Sequence, residues 1–397
     1  MKKILLLGGS AQQIIAIETA KKLGYYTVLC DYLPDNPGQY HADKFYQEST
    51  TDKETVLKIA REEHIDGILA YASDPAAPTA AYVAENLGLP TNPYAAVNTL
   101  CNKDSLRAFL KENNFPVPAA RGFADAAQAI SECCGMQFPL IIKPVDSSGS
   151  KGVTVIHGES ELPAAVDFAF ESSRGKRIIA EEFIEKDHPY LIGGDIFVVD
   201  GRVCIWGLLN CHRDSSVNPL VPVGKSYPLA LSAEQSASVK AILQALVDKL
   251  GIRFGAVNVE LIIGKNGQCY IIDAGPRAGG NMIPDLLGMI FNTDVAEMAV
   301  KAAMGERLPC EEVNDGQGFY ATHNLHSSQN GVYKTIEFDD EIERFIIKKC
   351  LYKKEGDEVS YFDNASKALG IVFMKFDNAQ QQSILNETEK HIKVVLQ

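Results

Sequence analysis

The sequence has no long apolar run, no paired-cysteine motif, no basic block and no complete glycine-rich nucleotide fingerprint. Each absence removes a class of protein. No stretch approaches the roughly eighteen consecutive apolar residues of a membrane-spanning helix, so no membrane partner is expected. The opening Met1-Lys2-Lys3-Ile4-Leu5-Leu6-Leu7 starts like a signal peptide, but its apolar run stops at Gly8-Gly9 and continues as strand, turn and helix. The 9 cysteines are scattered, Cys133 and Cys134 are adjacent, and no C-x-x-C occurs. Neither a zinc site nor a disulfide framework follows, and dispersed thiols fit a reducing, cytoplasmic setting. The net charge is −13, from 38 basic and 51 acidic residues, with no arginine-rich tract, so nucleic acid is not an expected partner. A G-x-G-x-x-G dinucleotide fingerprint would need glycines where Ser10 and Gln13 stand, which disfavours a nicotinamide cofactor.

What remains is an ordinary globular composition, 46% apolar and 22% charged, long enough at 397 residues for two or three domains. Strands are expected at Ile4 to Leu7, Thr27 to Cys30 and Gly67 to Ala70, alternating with helices at Gln12 to Leu23 and up to Glu63. Thr51-Asp52-Lys53-Glu54 reads as the capping box of the second helix. This β-α-β-α-β order predicts a doubly wound, Rossmann-like domain over 1–93. Its ligand crevice lies beyond Gly8 to Ser10, Asp31 and Ser73-Asp74. Prolines at Leu89-Pro90 to Pro93 mark a linker. An amphipathic helix is then expected from Asn98 to Lys111, carrying Lys103 and Arg107, and Pro116-Val117-Pro118 closes it.

Three later stretches carry chemistry. In Pro139 to Val153 a strand delivers Lys143 at its end, and a Ser/Gly loop with Lys151 leads into a strand at Val153 to Ile156. Small residues let backbone N–H groups approach phosphate oxygens, so the loop suits a polyphosphate; a mobile turn is the other reading. No G-K-[ST] opens a helix there, so it is not a Walker A loop. Ile178 to Ile184 is a strand ending in Glu181, Glu182 and Phe183, where a purine could stack and meet backbone groups. Val257 to Ile263 and Gln268 to Asp273 flank the turn Lys265-Asn266-Gly267 and read as a hairpin. It carries Glu260 and Asp273, two acids that suit a nucleotide-bound Mg²⁺, with Arg277 just beyond for an anion. Two further elements frame these stretches, a hairpin about Asp200-Gly201 and a helix opened by the capping box Ser232-Ala233-Glu234-Gln235.

Taken in order, IIKP-x-x-SSGSKGV, AEEFI, VNVEL and YIIDAGPRAGGN resemble the ATP-grasp superfamily, particularly its biotin carboxylase, glycinamide ribonucleotide synthetase and amino-acid ligase branch. The resemblance implies an α/β architecture: a Rossmann-like pre-ATP-grasp domain (1–93), an ATP-grasp domain (94–309, lid about 116–185) and a small C-terminal α+β domain (310–397). It also implies residue roles. Lys103 and Lys143 match ATP-binding lysines, and Ser147, Ser148, Gly149, Ser150, Lys151 and Gly152 match the loop over the phosphates. Glu181, Glu182, Phe183 and Ile184 match the adenine hinge, and His188 lies near the ribose. Glu260 and Asp273 match the Mg²⁺ carboxylates, with Mn²⁺ a substitute, and Arg277, with Lys143, matches the catalytic cations. The usual second metal glutamate is Asp273 here, and the usual asparagine two residues later is Gly275, which puts a second metal ion in question.

The implied activity is a carbon–nitrogen ligase, in which ATP phosphorylates a small-molecule carboxylate and an amine displaces the phosphate, with an amino acid on at least one side. A carbamoyl-phosphate-synthetase-like or phosphoribosylglycinamide-synthetase-like activity stands as a second reading, and a non-catalytic ATP-binding protein as a third. Relatives of this kind imply a homodimer. Among the histidines, His212-Arg213-Asp214 is a candidate substrate contact. His323 and His326 would fall on opposite faces of a strand, which disfavours a metal pair. The tail is expected to hold strands at Phe319 to Asn324 and Ala368 to Phe376 and to end in a helix from about Ala379.

Overall fold

The computed structural model describes residues 1–147, 149–309 and 316–397. The chain forms two compact units, one from Met1–Val117, Gly194–Gly207 and residues 232–309, the other from Pro118–Gly193, Leu208–Leu231 and Gly316–Gln397.

The first unit begins with a four-stranded parallel sheet in the order Lys44–Gln47, Tyr26–Asp31, Lys3–Leu7, Gly67–Leu69. Leu5, Leu7, Val28, Cys30 and Ile68 fill one face, against Val56, Leu57 and Ala60 of helix Lys53–Glu63. The expected parallel α/β sheet is present, with one strand more than the apolar pattern revealed. Lys44–Gln47 is an edge strand with both ends exposed, so it has no apolar run to betray it. The helix before Gly67 is capped by Asp52, whose carboxylate accepts from the Thr55 N–H, and not by Thr51. Thr51 Oγ1 is hydrogen-bonded to Ser49 Oγ, and the carboxylate is the stronger acceptor for a helix N-terminus.

Glu63 closes that helix and receives Lys3, Lys44 and the Tyr46 hydroxyl. Hydrogen bonds from Lys44, Tyr46 and Lys3 hold its carboxyl down at about 2, against an ordinary 4.5. A depressed carboxylate contributes stability that is full above the unfolded value and lost as pH falls through the folded one. Unfolding free energy should therefore fall between pH 4.5 and about 2, and Glu63→Gln should remove that part of the slope in urea titrations run across this range.

The expected helix Asn98 to Lys111 is two helices, Tyr94–Leu100 and Lys103–Glu112. Asn102 between them is extended (φ −126°, ψ 111°) and its side-chain amide donates to the Asn98 carbonyl, closing the first helix. Lys103 thus opens a helix instead of lying within one. The capping box at Ser232 forms as expected and starts helix Ala233–Leu250. The Asp200-Gly201 turn has positive φ at both residues (50° and 83°), the geometry of a tight two-residue hairpin.

In the second unit, strands Ala120–Phe123, Ile178–Glu182, Leu140–Pro144 and Thr154–Ile156 form an antiparallel sheet in that order. Helices Ala126–Cys133 and Leu162–Ser172 cover it through Ala129, Cys133, Leu162, Val166 and Ala169. Elsewhere in this unit, Asn218–Tyr227, Phe319–Leu325, Gly370–Phe376 and Ile346–Leu351 run antiparallel side by side. A helix does begin at Ala379 as expected, but it is broken into short helical pieces, Ala379–Gln382, Ser383–Glu387 and Thr388–His391, and strand Ile392–Leu396 follows. The β-branched Ile392, Val394 and Val395 favour pairing with Gly331–Phe338 over helix.

Candidate active site

In the first unit the organising feature is the hairpin Phe254–Ile263 and Cys269–Gly275. Its register sets Glu260 directly opposite Asp273, with a bulge immediately after Glu260. Two like charges on facing positions repel, so the pair calls for a cation. Lys103 supplies one here, its ammonium 3.1 Å from Asp273 Oδ2. Burial works against the Lys103 charge, but Asp273 more than offsets it and the lysine stays protonated above its ordinary value. Arg107, one turn further along, donates to the Ile271 and Ile272 carbonyls and ties this helix to the strand that carries Asp273.

Arg277 does not stand open to an anion. Its guanidinium is held by both oxygens of Asp74, a fork-to-fork pair in which Nε donates to Oδ1 at 2.7 Å and the second contact joins Nη2 to Oδ2. A third donor, Nη1, reaches the Ala278 carbonyl. Burial opposes the charge, Asp74 overrides it, and the side chain is only 11% exposed. Sequence reasoning placed Asp74 at a strand end in the crevice but missed its pairing, because the partners are 203 residues apart.

The same pair explains the glycine at 275. A Cβ there would come within 2.4 Å of Asp74 Oδ1 and 3.4 Å of the Arg277 guanidinium, so an asparagine cannot enter while the pair is formed. Asp74→Ala should leave a buried guanidinium without its carboxylate and cost about 3–5 kcal/mol. Gly275→Asn should destabilise the parent protein and do so less in the Asp74→Ala background; denaturant midpoints of the four proteins check both.

In the second unit Lys143 and Glu181 form an ion pair at 2.7 Å, the two side chains 5% and 2% exposed. They sit on adjacent antiparallel strands, where Lys143 faces Ile179 and Ile141 faces Glu181, so they are diagonal neighbours. Glu181 thus holds a lysine, a task its place in the hinge motif did not suggest. The Glu182 N–H donates to the Ala119 carbonyl (2.8 Å) and the Phe183 N–H to the Pro139 carbonyl (3.2 Å). Phe183 is 38% exposed.

The Ser/Gly loop is built from positive-φ residues, Gly149 (67°), Ser150 (63°) and Gly152 (76°). Ser147 Oγ donates to the Lys151 carbonyl and Ser150 Oγ to the Leu220 carbonyl. Only glycine fits at 152, where a Cβ would lie 2.4 Å from that of Ser172. Lys151 is exposed, and Ser148 lies outside the described residues. His188 is buried, and its imidazole is pushed toward the neutral form by burial and then by the Lys186 charge.

The histidines settle differently from expectation. Strand Phe319–Leu325 ends before His326, so His326 is not constrained to the face opposite His323; the two rings lie 5.5 Å apart. His326 pairs with Asp214 at 3.1 Å, and His212 Nε2 meets Ser226 Oγ at 2.8 Å. Burial pushes the His323 imidazole down to about 3 and that of His212 to about 4, so both are neutral near pH 7. Among the described residues no group of three or more His, Cys, Asp and Glu side chains is arranged to hold a metal ion.

Residues 136–285, which contain all these hairpin and loop positions, match the model of the ATP-grasp domain. The chain is also 32% identical over 337 residues to a formate-dependent phosphoribosylglycinamide formyltransferase of Prochlorococcus marinus, covering 79% of this chain and 80% of that protein. The chain belongs to the ATP-grasp family. It is 23% identical over 330 residues to a carbamoyl phosphate synthase large chain of Clostridium botulinum, spanning 80% of this chain but only 29% of that protein's length. The fold agrees: a crystal structure of an L-amino acid ligase from Bacillus licheniformis superposes with TM-score 0.84 at 19% identity, covering 100% of this chain and 99% of that one. The expectation of a member of the ATP-grasp family is met. No helix among the described residues is long and apolar enough to cross a membrane.

Proposed function

We propose that this ATP-grasp protein joins a small-molecule carboxylate to an amine through an acyl phosphate, releasing ADP and phosphate. The observation that carries the proposal is the facing carboxylate pair Glu260 and Asp273, which lies within the residues matched to the ATP-grasp domain, with Lys103 against Asp273. Two hard oxygen donors fit Mg²⁺, or Mn²⁺ in its place, because such an ion is usually held by one or two protein carboxylates with phosphates and water. The ion would neutralise phosphate charge during transfer. Gly275 offers no side chain to a second ion.

The remaining roles belong to the chain's own groups. Lys143, fixed by Glu181, would place a rigid ammonium beside the phosphates, and Lys151 with the 147–152 loop would cover them and exclude water. With the Glu182 and Phe183 N–H groups committed, adenine recognition would fall to Ile184 N–H and the hinge carbonyls, with Phe183 stacking. His188, kept neutral, would suit a ribose hydroxyl as donor or acceptor. Arg277 would reach the acyl phosphate by exchanging Asp74 for it. Phosphoryl transfer of this kind needs positioning and charge neutralisation more than covalent chemistry.

The name of the 32% identical relative makes formate the first carboxylate to try and the amine of a ribosylated glycinamide the first acceptor, with amino acids next. Bicarbonate, whose carbon already has the oxidation level of a carbamoyl group, is the second carboxylate-like substrate to test, since one relative is named a carbamoyl phosphate synthase. The test is phosphate release from Mg-ATP by the purified protein, with formate, bicarbonate and amino-acid pools added singly and with amines. Stimulation by a carboxylate and amine together supports the proposal; ATP binding with no stimulated release by any combination favours the non-catalytic reading.

A further inference from the structure

In the second unit Cys211 and Lys225 face each other across adjacent antiparallel strands. Lys225 Nζ lies 2.6 Å from Cys211 Sγ, and the residues are 6% and 2% exposed. Two physical problems meet at this contact. An N–H···O hydrogen bond spans about 2.7–3.2 Å, and sulfur is a larger acceptor than oxygen, so 2.6 Å is closer than a lysine–thiol hydrogen bond sits. A buried ammonium also needs strong compensation, yet among the described residues its hydrogen-bond partner is this one sulfur, a weak acceptor. Among the described residues no carboxylate lies in ion-pair range of it.

We propose that Cys211 and Lys225 form a covalent N–O–S bridge, an oxidative modification site separate from the residues assigned above to ATP. The bridge resolves both problems: it places nitrogen and sulfur on either side of one oxygen and abolishes the buried charge. The step balances with dioxygen as oxidant. The thiol, the neutral amine and O₂ give Cys–S–O–NH–Lys and water. The S–H bond and one N–H bond break, and S–O and N–O bonds form. One oxygen atom is retained, the other leaves as water with the two hydrogens, and O₂ accepts four electrons, two each from sulfur and nitrogen. If the amine starts as ammonium, its extra proton goes to solvent.

The test uses the full-length protein, purified once in air and once under dithiothreitol, with intact-mass and peptide analysis of both. The bridge adds one oxygen and removes two hydrogens, about +14 Da. The air sample should carry that increment on a cross-linked peptide containing Cys211 and Lys225, with tryptic cleavage at Lys225 blocked. Dithiothreitol should erase it, and Cys211→Ser and Lys225→Met should each lack it. Should either variant fail to fold, the wild-type peptide map alone decides. An air sample in which Cys211 is fully alkylated after denaturation and Lys225 is cleaved overturns the proposal. So does an increment of one oxygen on Cys211 alone, which is a sulfenic acid.

Discussion

Replacing Lys143 with alanine is expected to lower ATP-dependent turnover by about two to three orders of magnitude, the usual loss when a preorganised group that stabilises developing charge is removed. It should also destabilise the fold by about 3–5 kcal/mol, since the change removes the ammonium that faces the Glu181 carboxylate in a site where both side chains are almost wholly buried. The effects separate in a double variant. Lys143→Met with Glu181→Met removes both charges and keeps volume, so stability should return most of the way toward the parent's. Turnover should not return. Denaturant midpoints and phosphate release on the same preparations read the two quantities, and recovery of activity in the double variant would exclude a role for the Lys143 charge.

Glu260→Ala should behave in the opposite sense for stability. Glu260 faces Asp273 across the hairpin, and removing one of two facing like charges relieves repulsion of up to about 1 kcal/mol in metal-free protein. Turnover should nevertheless fall by about two to three orders of magnitude if the pair carries the nucleotide's metal. The extra thermal stability conferred by Mg-ADP over ADP alone should shrink with it. A site kept at some expense to the fold is the mark of a functional pair. A variant that loses stability and keeps turnover would make Glu260 a structural residue.

How much of this was legible beforehand depended on the range of the interaction. The hairpin that carries Glu260 and Asp273, the Asp200-Gly201 turn and the Ser232 box rest on signals a few residues apart, and the chain forms them where expected. The Thr51 box failed on a competition at the same scale, because Asp52 is the better acceptor one residue later. Asn102 broke an otherwise continuous amphipathic helix through one side-chain bond to Asn98, which periodicity cannot register. The tail misled because Ala379 onward has helical composition while Ile392–Leu396 gains more by pairing with a strand about sixty residues upstream.

Roles were less legible than positions. Lys143 and Glu181 were both singled out, yet nothing in their motifs joins them; the strand register does. Asp74 lies far from Arg277 in sequence, and only the folded chain connects it to the missing asparagine at 275. Gly275, which weakened the expectation of two metal ions, is also the residue that makes room for the arginine's partner.

The measurement that bears most directly on the proposed chemistry is oxygen transfer. The carboxylate that stimulates phosphate release would be supplied with both oxygens as ¹⁸O, together with its amine and Mg-ATP, and the released phosphate analysed by mass. An acyl phosphate requires one carboxylate oxygen to leave with phosphorus, so phosphate carrying one ¹⁸O per amide formed is the expected result. Unlabelled phosphate alongside product would contradict the mechanism and place ATP hydrolysis on a separate path from bond formation.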